Sequence, residues 1–218
     1  MSTTVLVADH HGIVRDGLRL ALSNEDDLEV IGEATNGREA IELAAQLNPK
    51  VVLMEVTMPV LNGIEAARRI LKANRQIKVL ALSGNCEGHL VKEMLKAGAS
   101  GYVLKQCATD ELIKAIKTIM NGGRYLSSDV AGVVIDDLVG YNGKGANHAS
   151  VKILTPKERE LLQMLSEGDV SKVAAKKLHV SVKTIDARRR DIMKKLNLDS
   201  IALLTKFAIR EGLTSLNF

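Results

Sequence analysis

Four short apolar runs each end on a residue that could engage a ligand. "TVLVAD" ends on Asp9, with His10 next, "VVLME" on Glu55, "VLALS" on Ser83 and "GYVLK" on Lys105. Glutamate is a poor strand residue and a buried charge is costly, so Glu55 belongs at a strand end rather than inside a core. Gathered on one edge, these ends would set an acid, a hydroxyl and a lysine beside Glu55, whose side chain is long enough to reach Lys105 as an ion pair.

A second set lies in "VKTIDARRRDIMKKL". On a helix, Ile185, Ile192 and Leu196 share one face, while Lys183, Asp186, Ala187, Arg190 and Lys194 point away from it. A basic outward face that begins just after a turn is what the major groove of duplex DNA accepts. Arg190 could read a guanine edge and Ala187 could touch a thymine methyl. Lys183, Thr184, Arg188 and Arg189 could hold phosphates. A solvated charged face is the plainer meaning of a basic run, so the surrounding elements must decide.

Those elements fall into two groups. Over the first 120 residues, five apolar runs alternate with five helix-period segments. Continuous apolar strands separated by helices read as a parallel sheet covered on both faces, an α/β doubly wound five-stranded fold. Ligands of such sheets bind at the carboxyl edge of the strands, where Asp9, His10, Glu55, Ser83 and Lys105 would stand. From 127 to 151 the texture changes to a linker, with a short helix over Ser128 to Leu138 and then "GYNGKGANHAS". Its Gly-Lys-Gly lacks the spacing of a phosphate loop.

After the linker, "LTPKERELLQMLSEG" carries a capping Thr155, Pro156 in the first turn, Glu158 completing a capping box and Gly168 at the stop. "SKVAAKKL", the turn "HVS", the basic helix and "DSIALLTKFAIREG", capped by Asp199 and ended by Gly212, follow. Four helices with a tight turn between the second and third make an all-α helix-turn-helix domain over 152–218.

Charge supports the division. From Val151 onward there are 14 Lys/Arg against 8 Asp/Glu, and in the remainder 16 against 18. A basic module attached to a mildly acidic one points to nucleic acid as a partner. With no Trp, three Tyr and two Phe, an aromatic platform for single strands is not expected, and duplex DNA is the better target. No run is long enough to cross a bilayer, no secretory leader opens the chain, and two cysteines cannot make a disulfide scaffold. A cytoplasmic protein without membrane contact is expected. No nucleophile and base pair or cofactor loop suggests an enzyme.

With these motifs in place, "LTPKERELLQMLSEG", "VKTIDARRRDIMKKLNL" and "AIREGL" resemble the LuxR-type helix-turn-helix. "VLVADHHGIVRDGLRLAL", "VVLMEVTMPVLNGIEAARRI", "VLALS" and "AGASGYVLK" resemble the receiver domain of two-component response regulators. The order and the linker resemble the NarL/FixJ class, over nearly the whole chain. The resemblance implies a receiver over 2–126 that takes a phosphoryl group on an aspartate at the third strand end. An acid pair at the first strand end holds Mg²⁺, and a hydroxyl, a lysine and a switch aromatic complete the site. Asp9 matches the first acid, Ser83 the hydroxyl, Lys105 the lysine and Tyr102 the switch.

Two positions depart from that pattern. His10 stands where the second acid would be, and Glu55 where the acceptor aspartate would be. Mg²⁺ demands oxygen ligands, so weak or absent binding is expected, and phosphoryl transfer relies on positioning and on the metal. The reading is an atypical receiver that works without phosphorylation, which argues against a cognate histidine kinase, on a DNA-binding homodimer with RNA polymerase as a further partner. The alternatives are an ordinary phosphorylation-activated regulator, or a redox, ion or protein sensor using the Cys86 and Cys107 rim. Both cysteines follow strand ends closely, although a free cysteine is more often a small buried hydrophobe. His11, His89, His148 and His179 show no metal-ligand spacing, and surface or capping roles are expected for them.

Overall fold

The computed structural model describes residues 2–84, 86–138 and 153–214, with the side chains of 136–138 and 210 left aside. The chain divides into two compact units, 1–143 and 144–218. Among the described residues, no helix is long and apolar enough to cross a membrane.

In the first unit, strands and helices alternate as β1 (Thr3–Ala8), α1 (Gly12–Ser23), β2 (Leu28–Ala34), α2 (Gly37–Leu47), β3 (Val51–Glu55), α3 (Gly63–Ala73), β4 (Lys78–Ser83), α4 (Gly88–Lys96), β5 (Gly101–Leu104) and α5 (Thr109–Met120). The strands pair in parallel in the order β2-β1-β3-β4-β5. Because side chains alternate along a strand, Val52 and Met54 enter one core with Leu6, Val79 and Tyr102. Val51 and Leu53 enter the opposite core with Val5, Val7, Leu80 and Val103. Burial on both faces is why the strands are nearly all apolar.

Two features extend the expected sheet. A two-residue strand, β6 (Tyr125–Leu126), pairs with Gly101 and Tyr102, so the sheet has six strands rather than five. Two residues carry no period from which a strand could be read. The helix expected over Ser128 to Leu138 forms as α6. Its Val130 is fully buried and its Val134 packs against the same core as Tyr102, so this part of the expected linker is a helix of the first unit. The remainder of the expected linker, with His148, lies outside the described residues.

In the second unit, α7 (Pro156–Ser166), α8 (Ser171–Lys177), α9 (Val182–Leu196) and α10 (Ile201–Arg210) enclose a core that includes Leu161, Leu162, Ala174, Ile185, Ile192, Leu204 and Phe207. The capping box on Thr155 and Glu158 is complete, with Pro156 in the first turn. Gly168 and Gly212 take the left-handed conformation at the two helix stops. The cap of α10 is Ser200, whose side chain accepts from the Leu203 N–H, and not Asp199 one residue earlier.

Candidate functional site

Parallel pairing brings the carboxyl ends of β1, β3, β4 and β5 to one edge. Met54 lies beside Ala8, Glu55 beside Leu82, and Ser83 beside Leu104. The loop after β3 is drawn tight against that edge. A side chain on Gly63 would place Cβ 1.8 Å from the Glu55 carbonyl oxygen, and the Gly63 N–H donates to the Val56 carbonyl. Within this loop Val60 has φ +67°, and the Leu61 N–H donates back to the Pro59 carbonyl at 2.7 Å. A β-branched residue in the left-handed region, closed by a bond across three residues, is a strained γ-type turn.

The edge gathers charge into a small volume. Lys105 Nζ lies 2.6 Å from Glu55 Oε1 and 2.7 Å from Asp9 Oδ2. His10 Nδ1 lies 2.6 Å from Glu55 Oε2. His11 Nδ1 lies 3.2 Å from Asp9 Oδ1 and 3.6 Å from Glu55 Oε2, and the His11 N–H donates to Asp9 Oδ1 at 2.9 Å. Both carboxylates are buried.

Burial, with the Asp9 carboxylate beside it, pushes the Glu55 carboxyl up, and the Lys105 ammonium at 2.6 Å opposes the rise and favours the ionised form. Asp9 is also desolvated, which would raise it, but contacts with Glu55, Lys105 and the His11 N–H hold it below its ordinary value. Burial lowers His10 as well.

Sequence reasoning missed His11. The first turn of α1 brings its ring to 3.7 Å from that of His10, centroid to centroid, and Asp9, His10, His11 and Glu55 each offer a ligand atom within 4.8 Å of the others. Their closeness depends on that turn, which spacing along the chain does not reveal.

Ser83 and Tyr102 are buried. Burial pushes the Tyr102 hydroxyl up to about 12, against a hydrogen bond with Ser83. Tyr102 is thus turned inward onto the strand-end hydroxyl. Cys86 packs on the core that holds Tyr102, and Cys107 on the opposite one. Burial raises both thiols, so neither is a poised thiolate.

Mg²⁺ does not suit this donor set. An imidazole replaces one oxygen donor, and Lys105 already neutralises the two carboxylates that would face the ion.

In the second unit, Ser181 caps α9 through the Thr184 N–H, and the two hydroxyls lie 2.8 Å apart. His179, at φ +52°, closes the turn before it. Ile185 and Ile192 are fully buried and Leu196 packs beside them. Lys183, Arg190 and Lys194 are exposed, while Thr184, Ala187, Arg188 and Arg189 are half-buried. Asp186 is not a free outward residue. Ser171 Oγ at the start of α8 donates to its carboxylate at 2.8 Å, and Arg189 lies 3.6 Å away.

The fold and these two regions define a signal-receiving α/β domain carried on the same chain as a helix-turn-helix domain. Residues 5–117 match the response regulator receiver domain, and residues 152–208 match the bacterial regulatory proteins of the luxR family. The chain is 33% identical over 212 residues to the oxygen regulatory protein NreC of Staphylococcus carnosus, covering 96% of this chain and 98% of that one. It is 34% identical over 209 residues to the response regulator GacA of Pseudomonas protegens, covering 96% of each. Among solved structures, RcsB of Salmonella enterica serovar Typhimurium bound to a promoter superposes with a TM-score of 0.61 at 26% identity, covering 98% of this chain and all of that one. The chain belongs to the response regulators that join a receiver to a LuxR-type DNA-binding domain, and it is a DNA-binding transcriptional regulator of that family.

Proposed function

We propose that this regulator binds a specific duplex sequence as a homodimer and that its receiver works without phosphorylation, the Glu55–Lys105 pair standing in for the phosphorylated state. The observation that carries the proposal is the position of Lys105, 2.6 Å from Glu55 and 2.7 Å from Asp9. Glutamate is one methylene longer than aspartate, so its carboxylate reaches the lysine and sets an acceptor oxygen about where a phosphoryl oxygen would lie. Tyr102, buried against Ser83, is the arrangement expected of a receiver whose switch has already turned inward.

DNA reading is assigned to α9, with Arg190 and Ala187 towards bases and Lys183, Thr184, Arg188, Arg189 and Lys194 towards phosphates. RcsB is described bound to DNA, including as two dimers on two parallel DNAs. Here the half-exposed Ile201 and Leu203 of α10 offer a surface for pairing. This activity would be exercised on cytoplasmic DNA, with RNA polymerase as a further partner and no need of a cognate kinase.

A second reading, ordinary activation by phosphorylation, draws support from the retained Asp9, Ser83 and Lys105. Incubating the full chain with a small-molecule phosphodonor and Mg²⁺, followed by intact-mass measurement, separates the two. The proposal expects no phosphorylated species. Stoichiometric modification of Glu55 would establish the second reading instead.

A further inference from the structure

Asp186 is an acid set among the cations of α9. We propose that it reads a cytosine in the major groove, and that Ser171 of α8 positions its carboxylate for that contact. The inference rests on the assignment of α9 to DNA and adds to it a residue that determines sequence preference.

The two oxygens of Asp186 are engaged unequally. Oδ1 accepts from Ser171 Oγ at 2.8 Å and faces Arg189 at 3.6 Å, the second distance being too long for a hydrogen bond. Among the described residues, no hydrogen bond reaches Oδ2. The side chain is 41% exposed, so a carboxylate anchored through one oxygen keeps the other accessible.

The anchor comes from a neighbouring helix held in place by packing. Ala174 and Ala175 of α8 are buried in one core with Ile185 and Ile192 of α9, which fixes Ser171 against the second turn of α9. A hydroxyl donated across two packed helices restrains the rotamer of Asp186 and stops the carboxylate from folding back along its own helix. Lys183 and Arg190, three residues before and four after, lie on the same side of α9 and are exposed. Arg190 Nε donates to the Asp186 carbonyl at 3.4 Å, which keeps the arginine beside the acid.

A carboxylate can only accept. In the major groove guanine offers the acceptors N7 and O6, and thymine the acceptor O4. Adenine sets its N6 donor beside the N7 acceptor, whereas cytosine offers its N4 donor. Cytosine is therefore the base from which Asp186 accepts without meeting a second acceptor. Against other bases, and against the phosphates, its charge weakens binding. Asp186 acts by exclusion as much as by attraction.

The test uses the full chain and a duplex selected from a random pool by the wild-type chain, with each base pair replaced in turn and affinity read by fluorescence anisotropy. One position should require cytosine, replacement costing about fivefold or more. Asp186→Ala should lose that preference yet bind unrelated duplex at least as tightly as wild type, because a charge that repels phosphates is gone. Asp186→Asn should move the preference to adenine, whose N6 and N7 suit an amide. Ser171→Ala should blunt the cytosine preference and leave affinity for unrelated duplex as in wild type. Ser171→Thr, which keeps the hydroxyl, should retain the preference. Lys194→Ala is the control, since weaker binding to every duplex shows that α9 meets DNA whatever Asp186 does. With that control weakened, a cytosine preference undiminished in both Asp186 variants, equal losses on all duplexes in Asp186→Ala, or a full preference in Ser171→Ala would each overturn the proposal. Wild-type binding by Lys194→Ala would overturn the assignment of α9, and the inference with it.

Discussion

Lys105 and Glu55 meet at 2.6 Å across the carboxyl edge of the sheet, and the same ammonium lies 2.7 Å from Asp9. One cation thereby holds two buried carboxylates that would otherwise repel. Removing a single partner leaves a buried charge uncompensated, which is the expensive way to break such a pair. The rim is therefore a coupled unit, and changes within it should be felt well beyond the side chain replaced.

The loop that delivers Glu55 depends on the absence of a side chain at Gly63. Gly63→Ala should destabilise the first unit by about 2 kcal/mol or more, because the added Cβ meets backbone that has little room to move. Urea denaturation of the full chain, followed by circular dichroism, gives the measure.

Val60 makes the opposite case. Its φ of +67° costs roughly 1–2 kcal/mol for a residue with a Cβ. Val60→Gly should recover part of that and raise the urea midpoint. A lowered midpoint would show that the side chain's packing outweighs its backbone strain.

Glu158 ties stability of the second unit to pH. Burial would raise its carboxyl, but Lys195, 2.7 Å away, and the cap on Thr155 outweigh it and hold the carboxyl below its ordinary 4.5. A carboxyl lowered by folding adds stability above its unfolded value and loses it as pH falls through the folded one. Wild type should exceed Glu158→Gln by up to about 1 kcal/mol at neutral pH, the worth of a partly exposed ion pair, since glutamine can still close the capping box. The gap should close as the pH drops below 4.5, as read from thermal melts of the two proteins across that range.

On α9, residues of different role should fail differently. Arg190→Ala should cost about 1–3 kcal/mol on the selected duplex and relax preference at one base pair. Lys194→Ala should weaken all duplexes alike and reduce the salt slope by about one. Binding isotherms on matched and mismatched duplexes at several salt concentrations distinguish the two outcomes.

Much of this organisation is legible in the sequence because each level repeats the same message. Strand runs such as "VVLME" are continuously apolar since both faces are covered, and the strand-end rule then places Asp9, Glu55, Ser83 and Lys105 on one edge. Capping residues mark α7 just as clearly, whereas α10 is capped by Ser200 and not by the expected Asp199. What escapes depends on three-dimensional detail. His11 is adjacent to His10 in the chain, and only the turn into α1 brings both rings to the same carboxylate. Asp186 has the period of an outward residue, yet Ser171 from the neighbouring helix reaches it. Strand β6 is two residues long and exists because Gly101 lets Tyr125 approach it.

The central claim is that Glu55 holds the receiver in its active arrangement. The most direct measurement compares wild type, Glu55→Ala and Glu55→Asp, without any phosphodonor, for dimerisation by sedimentation and for affinity to a duplex selected from a random pool by the wild-type chain. Couplings between sites within a protein are typically 1–3 kcal/mol, or about 5- to 150-fold. Loss of at least about fivefold in both dimerisation and DNA affinity on Glu55→Ala is the predicted result, with Glu55→Asp also weakened because its shorter arm no longer reaches Lys105. Affinities equal to wild type in both variants would contradict the account.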